Sequence, residues 1–168
     1  MRILVAFGTR PEIIKLGPVC RAFQRKGVDL DVFWSGQHIE LAAGLLDLFG
    51  IEVTSAGVDI VDQPGLGSKL GLMTGQVERL LKTKRYDWIV VQGDTATAAA
   101  AATAGFLNGV RVAHVEAGLR TGDLHSPWPE EFNRRLIALA SAVHFAPTAQ
   151  SRDNLLAEGI LPDQVIMV

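Results

Sequence analysis

The clearest indication of the fold class comes from Trp88-Ile89-Val90-Val91-Gln92-Gly93-Asp94-Thr95, which leads directly into an alanine-rich segment ending at Leu107. The four apolar residues at its start predict a strand that is buried on both faces, as in a parallel sheet. The segment from Thr95 to Leu107 predicts a helix, whose small side chains permit close packing against that sheet. A buried strand followed at once by a helix is the repeating unit of α/β proteins.

The same alternation extends through the rest of the chain. Further strands are predicted at 3–7, 30–34, 111–115, 143–146 and 165–168, and further helices at 11–26, 39–49, 68–84, 130–141 and 151–158. Gly17-Pro18 is expected to kink or restart the first helix, and 54–67 is the least regular segment. This order predicts an α/β protein with a doubly wound, mainly parallel, Rossmann-like sheet in one domain spanning 1–168. Because the sequence stops on a strand, we expect a fragment of a longer chain.

Composition limits the partners and the location. The chain has 168 residues, of which 48% are hydrophobic and 20% charged, with a net charge of −2. That charge gives no general attraction to nucleic acid or to a membrane surface, so neither partner is expected. No run approaches the ~20 apolar residues that cross a bilayer. The apolar run at the N-terminus is too short for a signal peptide and is followed directly by charged residues, so a cytoplasmic location is expected. The lone Cys20 recurs with Leu16 and Phe23 at helical spacing, which favours a buried thiol.

Polar residues gather where three predicted strands end, which is where ligands bind in an open α/β sheet. The first group is Gly8-Thr9-Arg10-Pro11-Glu12 with Lys15, in which Thr9 and Glu12 have capping-box spacing. Arg10 and Lys15 bring two positive charges near a helix N-terminus, a favourable place for an anion. A capped helix with two solvated cations explains the same residues equally well.

The second and third groups supply carboxylates. Asp94 lies where a helix N-cap belongs, and this segment alone favours capping over a catalytic role or a ligand contact. His114 and Glu116 are predicted to point to the same face of a strand. A glutamate at the end of a buried strand is costly unless it is paired or lies at a mouth, so Glu116 indicates function.

A long irregular segment, 117–129, precedes the helix that begins with Glu130 and Glu131. Acidic residues suit a helix N-terminus, but they do not explain the length of that loop, which is typical of function. Asp94, Glu116 and Glu130 could therefore meet Arg10 and Lys15 in one cleft. The carboxylates would then perform acid–base chemistry, and the cations would hold a phosphate-bearing leaving group.

Other patterns point less clearly to chemistry. Gly65 to Gly71 lacks the Walker spacing and is predicted to be a flexible turn. His38 and His144 are predicted to have ordinary structural roles. No metal is expected, because no histidine or cysteine cluster has zinc-ligand spacing and a metal pair of His114 and Glu116 is disfavoured.

Taken together, these segments resemble the non-hydrolysing UDP-N-acetylglucosamine 2-epimerases. The run from His114 to Glu131 carries the resemblance most strongly, and Thr95 and Glu116-Ala117-Gly118-Leu119 favour the non-hydrolysing branch. The matching stretches follow the family's order: Phe7-Gly8-Thr9-Arg10-Pro11-Glu12 with Lys15, Gln37-His38, Gly93-Asp94-Thr95, His114-Val115-Glu116-Ala117-Gly118-Leu119-Arg120-Thr121-Gly122-Asp123, and Ser126-Pro127-Trp128-Pro129-Glu130-Glu131 with Asn133-Arg134.

The resemblance implies that the chain is the N-terminal half of a GT-B-type two-domain fold, with the substrate between the domains and the C-terminal domain absent. It implies interconversion of UDP-GlcNAc and UDP-ManNAc without a cofactor. The C2 proton is removed as UDP leaves C1, giving 2-acetamidoglucal, and UDP then adds back while C2 is protonated from the opposite face. A homodimer and a place in cell-surface polysaccharide biosynthesis are also implied.

The resemblance also implies roles for individual residues. Substrate binding falls to Arg10 and Lys15, and acid–base work to Asp94, Glu116 and Glu130. Gln37 and His38 correspond to a regulatory UDP-GlcNAc contact of some bacterial members.

As an epimerase, the chain is expected to need the missing domain for activity, which a separate polypeptide could supply. Two alternatives to the epimerase remain. A non-catalytic nucleotide-sugar-binding or regulatory module would use Arg10 and Lys15 without turnover. Half of a GT-B glycosyltransferase is disfavoured by the match from His114 to Glu131.

Overall fold

A computed structural model describes residues 1–36 and 39–168 of the chain, with the side chains at 39–41 and 43 outside that description. Gln37 and His38, the predicted regulatory contact, lie outside the described residues.

The described residues form a wholly parallel sheet in the order β3-β2-β1-β4-β5-β6-β7. The order reverses on passing from β1 to β4, so the sheet is doubly wound, as predicted. The strands are β1 (Arg2–Phe7), β2 (Asp29–Trp34), β3 (Ser55–Ala56), β4 (Trp88–Gln92), β5 (Arg111–Val115), β6 (Val143–Ala146) and β7 (Val165–Met167).

Helices cover both faces of the sheet. They are α1 (Arg10–Arg25), α2 (Ile39–Phe49), α3 (Leu66–Thr83), α4 (Ala96–Leu107), α5 (Glu130–Ala140) and α6 (Ala149–Ala157), with a short 3₁₀ helix at Pro162–Gln164. Residues of α1 and α2 pack with Ile3, Val5 and Phe7 of β1. Residues of α3, α4 and α5 pack with Leu4 and Ala6 on the opposite face. β1 is therefore buried from both sides, which explains its unbroken apolar sequence.

Two local predictions differ from the structure. Of the kink or restart expected at Gly17-Pro18, the restart is wrong, since α1 continues from Arg10 to Arg25 with Pro18 inside it. Gly17 is buried so close to α2 that an added Cβ would lie 2.5 Å from the Phe49 ring, so glycine at this position permits the close packing of α1 on α2. Similarly, Gly65 to Gly71 is not a flexible turn. Gly65 is the N-cap of α3, and the helix is anchored further along by the buried Met73 and Val77.

The segment 54–67, predicted to be the least regular, contains the two-residue strand β3, which pairs with the end of β2. None of the helices in the described part of the chain is both long and apolar enough to cross a membrane.

Gly118, in the loop after β5, has φ +90, and an added Cβ would lie 2.1 Å from the main-chain oxygen of Ser151. We expect Gly118→Ala to lower the free energy of unfolding by about 2–5 kcal/mol, because left-handed backbone strain adds to an overpacked contact with α6. Urea unfolding followed by circular dichroism measures this loss.

Gly122→Ala is the matched control. Gly122 has a similar φ of +85, and no described atom lies within 4 Å of its added Cβ. We expect only the backbone cost of about 1–2 kcal/mol. Equal losses in the two variants would show that the contact with Ser151 does not constrain the loop.

Candidate active site

A cavity of about 220 Å³ lies at the carboxyl ends of β1, β4 and β5, where the sequence places its polar groups. Three carboxylates and two cations line it, together with smaller side chains. The lining residues are Thr9, Pro11, Glu12, Lys15, Gln92, Gly93, Asp94, Thr95, Glu116, Leu119 and Arg134.

Glu116 enters this cavity from one residue beyond the end of β5. Its φ of +61 is unusual for a residue with a side chain and costs about 1–2 kcal/mol. Side chains alternate between the two faces of the sheet only as far as Val115, where β5 ends. The expectation that Glu116 points to the same face as His114 therefore does not apply to it, and His114 is not among the residues lining the cavity. Lys15 Nζ of α1 and Gln92 Nε2 of β4 both donate hydrogen bonds to Oε2 of Glu116. These contacts join β4, β5 and α1 at the cavity.

Asp94 is not the N-cap that this segment alone favours. Thr95 caps α4, since its Oγ1 accepts a hydrogen bond of 3.0 Å from the Ala98 N–H. Oδ2 of Asp94 instead accepts a hydrogen bond of 2.8 Å from Arg134 Nε, and Nη2 of the same arginine lies 2.6 Å from that oxygen as an ion pair. Asn133 Nδ2 donates to the main-chain oxygen of Asp94 at 2.8 Å. The turn between β4 and α4 is thus held by α5, and Asp94 faces the cavity as an ion-paired carboxylate.

Glu12 is a cavity residue that the sequence identifies only as half of a capping box. The capping box is present: Oε2 of Glu12 accepts hydrogen bonds from Gly8 N–H at 3.0 Å and from Thr9 N–H and Oγ1–H at 2.8 Å each. Its Oε1 accepts a further bond of 2.7 Å from Thr95 Oγ1. Burial raises the pKa of Glu12, and the four hydrogen bonds oppose that shift. The signal missed in the sequence was the bond to Thr95, which depends on the neighbouring strands.

Two of the predicted site residues are not among those lining the cavity. Arg10 is exposed at the start of α1. Glu130, at the start of α5, has one carboxylate oxygen that is buried and has no hydrogen-bond partner among the described residues. The structure therefore brings Lys15, Asp94 and Glu116 together in one cavity, and the roles of all five residues stay predictions.

Glu131, the neighbour of Glu130, is a structural ion-pair residue. Its side chain is fully buried; Oε2 accepts hydrogen bonds from the Thr121 N–H at 3.1 Å and Arg134 Nη1 at 3.2 Å, and Oε1 accepts one from Arg135 Nε at 3.3 Å. Burial acts to raise the pKa of Glu131, but these donors outweigh it and hold the pKa below its usual range. Arg134 also binds Asp94, so Glu131 helps to position the arginine that pairs with this cavity carboxylate.

The remaining candidates for chemistry lie elsewhere or form no cluster. Cys20 is buried, as predicted, and burial raises the pKa of its thiol to about 12. Within 1–36 and 39–168, no three histidine, cysteine, aspartate or glutamate side chains are grouped so that they could hold a metal ion.

Comparison with known proteins identifies relatives of the whole chain. A model of the family described as UDP-N-acetylglucosamine 2-epimerase matches residues 21–168. The UDP-N-acetylglucosamine 2-epimerase of Salmonella typhimurium is 43% identical over 100% of this chain and 45% of its own length. The chain therefore spans about half the length of the curated relatives it matches.

Solved structures agree with this match. The crystal structure of UDP-GlcNAc 2-epimerase from Neisseria meningitidis bound to UDP-GlcNAc is 39% identical with a TM-score of 0.93, over 99% of this chain and 46% of that one. The Methanocaldococcus jannaschii enzyme in complex with UDP-GlcNAc and UDP is 35% identical with a TM-score of 0.92, over 100% of this chain and 46% of that one.

We expect Glu131→Gln to lower the free energy of unfolding at pH 7 by about 1.5–3 kcal/mol, the range for hydrogen bonds to a charged group. The pKa of Glu131 is lowered in the folded state. Its ionised form therefore stabilises the fold above the unfolded pKa, and that contribution is lost as the pH falls through the folded pKa. The difference from the wild type should therefore shrink below about pH 4. Urea unfolding over a pH series measures it.

Glu130→Gln is the control for this prediction, because Glu130 has no ion pair within the described part of the chain. We expect a smaller loss at pH 7 than for Glu131→Gln, because the substitution breaks no ion pair among the described residues. A larger loss for Glu130→Gln than for Glu131→Gln would contradict the assignment of the buried ion pair to Glu131.

Proposed function

Because the chain belongs to the UDP-N-acetylglucosamine 2-epimerase family, we propose that it carries the carboxylates by which such an enzyme interconverts UDP-GlcNAc and UDP-ManNAc without hydrolysis. The observation that carries the proposal is that Asp94, Glu116 and Lys15 line the same cavity. Two carboxylates and a cation at the carboxyl ends of parallel strands suit proton transfer next to a phosphate-bearing leaving group.

The proposed reaction needs a base, an acid and a site for the leaving group. A carboxylate takes the C2 proton, the C2–H electrons form the C1=C2 bond, and the C1–O bond breaks with its electrons leaving on UDP. In the return step UDP adds to C1, and an acid protonates C2 from the opposite face. The sugar is neither oxidised nor reduced overall, so this route requires no redox cofactor.

The geometry supports a division of these tasks. Inversion at C2 requires proton transfer on two faces, and Asp94 and Glu116 are held independently. Asp94 is held by Arg134 of α5, and Glu116 by Lys15 of α1 and Gln92 of β4. An incoming diphosphate would compete with Glu116 for Lys15, which would free that carboxylate to accept a proton. Arg10 and Glu130 remain proposed contributors, although neither is among the residues lining the cavity.

The rest of such an enzyme would come from sequence that this chain does not span, since the relatives are about twice as long. We propose that 1–168 is the N-terminal half of a GT-B-type fold and that the substrate lies between the halves. A cytoplasmic homodimer acting in cell-surface polysaccharide biosynthesis, with a regulatory contact at Gln37 and His38, completes the proposal.

The test is hydrogen exchange at C2 of UDP-GlcNAc in heavy water, followed by NMR, with and without a separately supplied C-terminal half. We expect deuterium at C2 together with UDP-ManNAc. Dependence on the added half would show that this chain holds part of the site. A folded chain that gives no exchange under either condition would overturn the epimerase and leave a nucleotide-sugar-binding module.

In the same assay we expect Glu116→Gln to reduce the exchange rate by about 10²- to 10⁴-fold, the usual contribution of a general acid or base. KM should change little, because the amide preserves the shape of the side chain. The matched control is Glu78→Gln, since Glu78 pairs with Lys82 on the outer surface of α3. Equal rates for Glu116→Gln and Glu78→Gln would remove Glu116 from the mechanism.

A further inference from the structure

We propose that His114 is a positioning residue for the reaction, holding the turn that carries Asp94 through a hydrogen bond to the main-chain oxygen of Gly93. This inference rests on the proposed function, and it concerns a residue that does not itself line the cavity. Two features support it: where the His114 ring donates its hydrogen, and what that bond fixes.

The hydrogen bond defines the state of the ring. His114 is 1% exposed, and its Nε2 lies 2.7 Å from the Gly93 oxygen. A carbonyl oxygen can only accept, so Nε2 carries the hydrogen and Nδ1 is the unprotonated nitrogen. Nδ1 is buried and has no hydrogen-bond partner among the residues that the structure describes. His114 is therefore a donor with one fixed target.

The ring also stays neutral through the neutral pH range. Burial lowers the pKa of His114 to about 3; the bond to Gly93 opposes this, and His144 and Arg120 add to it. A group that is neutral through the neutral pH range, and does not reach the cavity, cannot exchange protons with a substrate there. Its contribution is the geometry of the turn.

That turn connects the groups proposed to act in the reaction. Gly93 has φ +69, a conformation that glycine adopts without strain, and its N–H donates to the main-chain oxygen of Val115 at 3.0 Å. The His114 bond fixes the other side of the same residue. Gln92 before it contacts Glu116, and Asp94 follows it. A backbone rotation at Gly93 would therefore displace Asp94 and the contact between Gln92 and Glu116 together.

His144 provides a matched control. It lies opposite His114 in the register of β5 and β6 and is also fully buried, with 6.4 Å between the two ring centroids. Neither ring nitrogen of His144 has a hydrogen-bond partner within the described residues. Replacing it disturbs the same part of the core without removing a donor from the turn.

The experiment compares His114→Met, His114→Gln and His144→Met. Methionine fills the space without a strong donor, whereas the glutamine amide nitrogen reaches about as far from the main chain as imidazole Nε2. We expect His114→Met to lower kcat by about 10- to 100-fold with KM nearly unchanged, because small misplacements of reacting groups are costly. His114→Gln should recover most of that loss, and His144→Met should retain the wild-type kcat even where its melting temperature falls equally.

A second readout needs no turnover and uses the chain alone. Nitrogen-15 NMR should show His114 as the Nε2–H tautomer, and the amide resonances of Gly93, Asp94 and Thr95 should shift in His114→Met but not in His144→Met. An Nδ1–H tautomer, unshifted turn resonances, or equal kcat losses in His114→Met and His144→Met would each overturn the positioning role. The kcat comparison is made with the C-terminal half supplied; absence of turnover in the wild type under that condition would count against the proposed function alone, and the NMR comparison would still decide whether His114 holds the turn.

Discussion

The site depends on one constraint: three carboxylates share a small cavity and must each be held by donors. Glu12 is buried, and a buried carboxylate without partners is strongly destabilising, whereas Asp94 and Glu116 are partly exposed and are held by ion pairs. Glu12 is held by the turns after β1 and β4, Asp94 by Arg134 of α5, and Glu116 by Lys15 of α1 with help from β4. The hydrogen bonds and ion pairs that stabilise these carboxylates therefore also fix the ends of the strands and helices that carry them. Stability and the arrangement of the site have the same physical origin.

Much of this arrangement could be predicted from the sequence, because buried parallel strands appear as uninterrupted apolar runs. The apolar run from Trp88 to Val91 predicts a strand, and the alanine-rich segment after it predicts a helix, without any knowledge of the elements packed against them. Once the sheet is known to be doubly wound, the carboxyl ends of its strands must share an edge. Lys15, Asp94 and Glu116 were predicted to meet for that reason, and the cavity contains all three.

What could not be predicted depends on partners distant in sequence. Thr95 and Asp94 are both good N-caps, and only the presence of Arg134 forty positions later explains why Asp94 turns away from that task. Glu130 and Glu131 are similar at the start of a helix, yet Glu131 is bound by two arginines and Glu130 has a buried oxygen without a partner among the residues that the structure describes. Local sequence cannot distinguish such neighbours, because the difference lies in the elements packed against them.

The most direct measurement is a titration of the nitrogen-15-labelled chain with UDP-GlcNAc, followed by NMR. If the cavity is the nucleotide-sugar site, saturable shifts will be concentrated at Gly93, Asp94, Thr95, Glu116 and Leu119, and Lys15→Met will weaken them. Shifts confined to surfaces away from these residues, or no shifts at any ligand concentration, would contradict the assignment of the substrate site to this cavity.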